Sequence, residues 1–338
     1  HRDLHSFPTR RSSDLTTNHT FTGSTTVNNG VLALTGPNGT LLSSTGFILA
    51  GGTLLLDNTP AANNTNRLRD ASAVTLNGGT LLFSNAGGSA DYSENVGVVT
   101  ANAGYSTIAT VQAAAGQTAT LRLAGLTNAP GGAVNFVGTG LGQSDRNRIF
   151  ITGQPDGLIG PWATVGGSQL AAYSSVNGVY AAVGTAFTDI AARGPSTIPD
   201  ASASHVRIAT AGTSGPIELA ASTTRIASLT QDTATDATVN TAGKAFQTGG
   251  VVVPDGRASV TVGVAANDGT LSSVQANGEV VLNVSGGAVT VNAAVVNNGS
   301  ATRLSKVGTG AATLTADNAF SGTTGIGGRT LVLANSNA

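Results

Sequence analysis

Apolar residues along this chain alternate with polar ones in short bursts, and Gly or Asn closes each burst. In "GVLALTG" Leu32 and Leu34 share one face, and in "GGTLLLDN" Leu54 and Leu56 do the same. "AVTLNGGTLLFSN" pairs Val74 with Leu76 and Leu81 with Phe83. "ASVTVGVAA" aligns Val260, Val262 and Val264, and "VVLNVSGGAVTVNAAVV" aligns Leu282 with Val284 and Val289 with Val291. Such alternation predicts strands with one buried face. Helical periodicity is nearly absent, so no substantial helix is expected.

The spacing of the bursts predicts how the strands are arranged. "NGVL" at 29–32 and "GGTL" at 51–54 and 78–81 recur 22 and 27 residues apart. A repeat of that period predicts a parallel β-helix, or β-solenoid, in which each turn buries its inward residues by stacking on the next. Gly and Asn suit the corners, where the backbone must turn sharply. A longer repeat links the two ends: Phe21, Gly23, Thr25, Val27, Leu32 and Leu34 fall on Phe320, Gly322, Thr324, Ile326, Leu331 and Leu333 at a constant offset of 299. Strand, corner and strand follow in the same order in both copies.

Two stretches interrupt the pattern. Residues 188–204 contain Pro195 and Pro199, which cannot donate to a ladder, so a loop or break is expected between solenoid segments at 16–187 and 205–338. The opening "HRDLHSFPTRRSSDL" differs from everything after it. Its residues 5–15 resemble the translation of a common short-read sequencing adapter. Residues 1–15 are therefore expected to be a non-native, disordered segment, with native sequence starting near Thr16 inside a repeat.

Charged residues make up 10% of the 338 and the net charge is −1, which gives no electrostatic footprint for nucleic acid. Val, Ile and Thr are abundant, which favours strands over disorder. No apolar run is long enough for a membrane-spanning helix, so no membrane insertion is expected of this segment. Cys is absent, which fits an exported protein without disulfides.

Candidate chemistry is sparse. Asp232 and Asp236, four residues apart, share a strand face and resemble the acidic clusters of polysaccharide-cleaving β-helices; "TQDTATDATV" also reads as a solvated polar corner. Asp145 sits beside Arg146 and Arg148. His19 and His205 lie 186 residues apart, which argues against a metal site. The Gly-rich "GTGLG" and "GTGAAT" lack a phosphate loop's Lys-Ser or Lys-Thr. Trp162 and Tyr173 could stack on sugar rings, although core filling by Trp162 is the favoured expectation. No cofactor, metal or catalytic residue is expected.

"KVGTGAATLTADNAFSGTTGIGGRTLVLANSNA" (306–338) resembles the autotransporter-associated β-strand repeat. Lys306, Gly308, Gly310, Leu314, Asn318, Phe320, Gly322, Thr324 and Leu331 fit its pattern, and Leu333 continues the last strand. Arg329 and Gly325 depart from it. The repeat occupies 306–335, and residues 18–36, with Phe21, Gly23, Thr25, Leu32 and Leu34, resemble half of another copy. The resemblance implies a right-handed parallel β-helix, part of a passenger region held outside a bacterial cell and accompanied by an outer-membrane β-barrel translocator outside this segment. It implies a structural stalk or adhesive surface rather than an enzyme, with host-surface glycans, extracellular glycans or matrix as partners. A polysaccharide-processing β-helix and a non-catalytic carbohydrate-binding solenoid are the alternatives.

Overall fold

A computed structural model places a strand at each alternating stretch, although the one at Val260–Val262 turns off at Gly263 (φ 94°) and leaves Val264, expected on its buried face, 57% exposed. It describes residues 12–58, 64–86, 90–112 and 116–335. The chain is all-β, 1% helical, and its parallel strands stack into a β-solenoid of about 11 turns. In the first stack, Leu32, Leu54, Leu81, Ile108, Phe136 and Val165 lie one above the next in a continuous parallel ladder. On the facing sheet Val27, Leu49, Leu76 and Ala101 form a second inward column. These columns make one core in which Leu54, Leu81 and Ile108 are fully buried. The period-two pattern is thus converted into vertical columns: each inward residue touches its equivalents one turn above and below.

The corners follow from backbone sterics. Gly51, Gly78 and Gly104 turn the chain at φ of 82°, 75° and 74°. A Cβ on Gly104 would stand 3.1 Å from the Gly78 Cα of the adjacent turn, so a side chain there would push the turns apart.

A second stack begins at Thr188. Its seven-stranded sheet runs from Thr197–Ile198 through Ile217–Leu219, Ala237–Asn240, Val260–Val262, Val289–Val291 and Ala311–Leu314 to Thr330–Leu333. Val239, Val262, Val291, Leu314 and Leu333 form one inward column. Phe246, Leu271 and Val295 form another on the facing sheet. The core of this stack is separate from that of the first.

Between the stacks the chain reverses. Ala163–Val165, Gln169–Ser174 and Gly178–Ala181 form an antiparallel meander, with Gly157–Leu158 on its edge. The second stack then folds back along the first. Its outward column Ser228, Gly250, Val281, Ser305, Gly325 meets Pro161, Trp162, Ala133 and Gly131 in the opposite order, so the two stacks run antiparallel. Small side chains make this approach possible. The Gly131 N–H donates to Ser305 Oγ at 2.6 Å and the Asn283 amide donates to the Pro161 carbonyl at 3.0 Å.

Two expectations are corrected. Residues 188–204 are not a break: Thr188–Ala191 pairs with Ala201–Thr210, and Thr197–Ile198 pairs with Ile217–Leu219. Pro195 lies in the bend between those strands and Pro199 directly follows one, positions that need no ladder donor. The real interruption is the meander, which lies inside the segment 16–187 expected to be continuous solenoid. The opening segment also differs. Residues 1–11 lie outside the described residues, but Ser12–Leu15 pairs in parallel with Val31–Leu34. An open sheet edge offers unpaired N–H and C=O groups to any extended backbone, whatever its sequence. Only Leu15 in this strand is even half-buried.

Candidate functional surface

The repeat-motif residues build turns. Near the amino end Leu34 is fully buried, Leu32 is half-buried, and the Gly23 carbonyl accepts from Ser44 Oγ at 2.9 Å. Thr25 pairs with Phe47 in the next turn, and Phe21 is 46% exposed at the stack end. Near the carboxyl end Lys306 is fully buried, and its ammonium donates to the Gly308 carbonyl at 2.7 Å. Burial pushes its pKa down to about 8. Gly308 turns the corner at φ 81°, and a Cβ on Gly310 would lie 2.7 Å from Val284 Cγ1. Asn318 caps the turn below: its Oδ1 accepts from the Val295 N–H at 2.8 Å. Leu314, Phe320, Gly322, Thr324, Leu331 and Leu333 line an open cavity of 410 Å³ at the end of the second stack.

The candidate acids are not brought together. Asp232 belongs to a charged row, with Arg257 at 2.9 Å and Arg207 at 3.6 Å, and Arg207 in turn holds Asp189 at 2.8 Å. The guanidinium hydrogen bonds keep the Asp189 carboxyl below its ordinary range. Asp236 instead caps a turn, accepting from the Ser259 N–H at 2.9 Å. Asp145 approaches Arg148 at 3.8 Å, while the Arg146 N–H donates to Ser144 Oγ. Asp232 and Asp236, expected on one strand face, thus serve different local roles, one in an ion-pair row and one at a turn.

His205 Nδ1 lies 2.7 Å from Ser228 Oγ, and burial lowers the pKa of the ring. A Ser–His contact suggests a nucleophile, but Ser228 is fully buried against the seam and offers no path for a substrate. His19 contacts Thr17 at the far end of the first stack. Among the described residues no three His, Cys, Asp or Glu side chains gather as a metal site would require. Trp162 and Tyr173 do not share a platform. Tyr173 is buried in the first core, where its hydroxyl accepts from the Ile151 N–H at 3.3 Å. Trp162 is half-buried and packs on the first core and on the seam. Filling the core, the favoured expectation for Trp162, therefore describes only part of its packing.

One buried polar network left no periodic signal in the sequence. Arg67 and Glu94 are both buried within the first stack. The Glu94 carboxylate accepts from the backbone N–H groups of Arg67 and Leu68 at 3.0–3.2 Å. The Arg67 guanidinium donates to Asn58 Oδ1 at 2.8 and 3.0 Å and to the carbonyls of Gly39 and Gly36 at 2.9 and 3.1 Å. Burial raises the Glu94 pKa to about 7 against the lowering effect of those N–H bonds. The network ties segments of successive turns.

What the exterior offers is repetition. Thr238, Thr261, Thr290 and Thr313 stand one above another, each half-exposed, on the seven-stranded sheet. On the first stack Thr75, Thr100 and Thr127 form a second row, with Thr100 and Thr127 hydroxyls 3.1 Å apart. Beside it the Asn102 amide donates to Asn77 Oδ1 at 2.8 Å. Hydroxyl, methyl and amide groups therefore recur at the strand spacing of about 4.8 Å. No protein-family model, curated protein or solved structure matches this chain.

Proposed function

We propose that this chain is a segment of a structural, adhesive β-solenoid displayed on a bacterial cell surface, of the autotransporter-passenger type that its repeat resembles. The observation that carries the reading is the uncharged Thr and Asn rows on the outward faces. Each hydroxyl offers one donor and two acceptor sites at a fixed interval, so a repetitive ligand such as a glycan chain meets many equal, weak contacts. Affinity then grows by summation along the row rather than at one pocket. The low charge leaves these contacts insensitive to salt. A barrel translocator supplied outside this segment, and extracellular glycans or matrix as partners, complete the proposal.

The experiment is binding of the purified chain, monomeric and clustered on beads, to immobilised extracellular glycans and matrix proteins. Clustered wild type is expected to bind and to lose most binding in Thr261→Glu/Thr290→Glu. Release of reducing or unsaturated sugar ends from a polysaccharide would overturn the reading in favour of an enzyme.

A further inference from the structure

The outer face of the seven-stranded sheet carries a cavity at its first strands, the end opposite Thr330–Leu333. It is open, has a volume of 440 Å³, and is lined by Arg193, Ser214, Pro216, Asp236, Thr238 and Val264 among others. Thr238 is also the first member of the threonine row that continues through Thr261, Thr290 and Thr313. Ile217 is the partner of Val239, so Pro216 precedes Thr238 in the same outward column. Cavity and row therefore form one surface.

The loops around the cavity are fixed by their own hydrogen bonds. The Gly194 N–H donates to the Gly215 carbonyl at 3.2 Å, and Thr213 Oγ1 donates to the Gly194 carbonyl at 2.7 Å. After the turn at Gly263, the Val264 N–H donates to the Asp268 carboxylate at 2.6 Å. A ligand thus meets loops already ordered, which lowers the entropy cost of binding.

Charges elsewhere on this sheet are paired: Glu218 holds Lys244 at 3.6 Å. Arg193 is exposed, and among the described residues its guanidinium forms no ion pair. Asp236, also exposed, lines the same cavity without reaching it. Asp236 Oδ1 accepts from the Ser259 N–H, leaving Oδ2 to accept from another donor. The cavity therefore presents a free cationic fork, a carboxylate oxygen, a threonine hydroxyl and the apolar surfaces of Pro216 and Val264.

We propose that this cavity binds a carboxylate-bearing sugar, a uronic acid within a polysaccharide that continues along the threonine row. The Arg193 guanidinium donates two parallel hydrogen bonds to the sugar carboxylate, which its planar fork matches. Asp236 Oδ2 and Thr238 Oγ1 accept from ring hydroxyls, and Pro216 and Val264 cover C–H surface of the ring. A neutral sugar leaves the guanidinium unused, and a simple inorganic anion supplies no donor for Asp236. The site rests on the reading of the rows as a glycan-binding surface, to which it adds the class of sugar.

The probes are hyaluronan, which carries a glucuronate in every disaccharide, and the same polymer with its carboxylates reduced to alcohols. Bead-clustered wild type is expected to bind hyaluronan about tenfold more tightly than the reduced polymer, and high salt to shrink that preference. Arg193→Gln, at an exposed position, is expected to keep the wild-type circular dichroism spectrum and to bind both polymers equally. Arg193→Lys, which keeps the charge without the fork, is expected to fall between. Equal binding of the two polymers by wild type, or a preference that survives Arg193→Gln, overturns the proposal and leaves the rows as a neutral glycan surface. A preference abolished by Arg193→Gln but untouched by Thr261→Glu/Thr290→Glu supports the carboxylate site and overturns the reading of the rows. Binding to neither polymer overturns the proposal, and the wider panel of glycans and matrix proteins then decides the reading.

Discussion

Replacing Glu94 with Gln is expected to remove a specific pH dependence of stability. The Glu94 carboxyl has its pKa raised from 4.5 to about 7 because burial disfavours its charge, although two backbone N–H groups and the nearby Arg67 favour it. The folded chain therefore holds this proton more tightly than the unfolded chain does. Its contribution is fully present below pH 4.5 and is lost as pH rises through about 7. A change from 4.5 to about 7 corresponds to about 3 kcal/mol. Two other groups shift with burial: His205, with its pKa lowered, acts in the opposite direction, and Asp57, with its pKa raised, acts in the same one. Comparing wild type with Glu94→Gln cancels them. Urea unfolding at pH 5.0 and 8.0, with unchanged slopes, is the assay. Wild type is expected to lose about 2.5 kcal/mol more than Glu94→Gln between those two values, because part of the contribution is already gone at pH 5.0. An equal loss in both proteins, or a larger loss in the variant, would refute the view that Glu94 is a buried carboxyl held mainly against desolvation.

Further outcomes follow from other buried positions. Lys306, lowered from 10.5 to about 8, binds its proton less tightly when folded, so wild-type stability is expected to rise between pH 8 and pH 10.5. In Lys306→Met that rise is expected to be absent from thermal melts, and stability at pH 7 equal or higher, because the apolar chain replaces a desolvated ammonium held by one carbonyl. Leu81→Ala removes a fully buried rung between Leu54 and Ile108 and is expected to cost about 2–5 kcal/mol by urea unfolding; a loss below about 1 kcal/mol would contradict a close-packed column. A Cβ on Gly250 would stand 2.6 Å from the Val281 carbonyl of the next turn and 2.8 Å from the Pro161 Cβ across the seam, so Gly250→Leu is expected to strain the ladder and part the stacks. The single Trp, Trp162, lies at the seam and reports the parting as a red-shifted emission.

The strands, the corners and the parallel stacking were legible in the order of the residues. Leu32, Leu54 and Leu81 announce their column because inward positions in a solenoid repeat once per turn, and a periodic environment demands a periodic residue type. The constant offset of 299 between the terminal copies became two equivalent turns, with strands at Thr25–Val27 and Val31–Leu34 matched by Thr324–Ile326 and Thr330–Leu333. The fold-back of the solenoid on itself was not legible there. The seam is made by outward residues such as Gly250, Ser305 and Gly325, which in sequence look like any small exterior residue. Whether such a face meets water or another face depends on the direction of the whole stack, and the short meander after Ala163 sets that direction. The Arg67–Glu94 network was hidden for the same reason. Its partners, Gly36 with Gly39, then Asn58, then Glu94, lie in three successive turns, and hydrogen bonds between turns leave no period for an alternating pattern to carry.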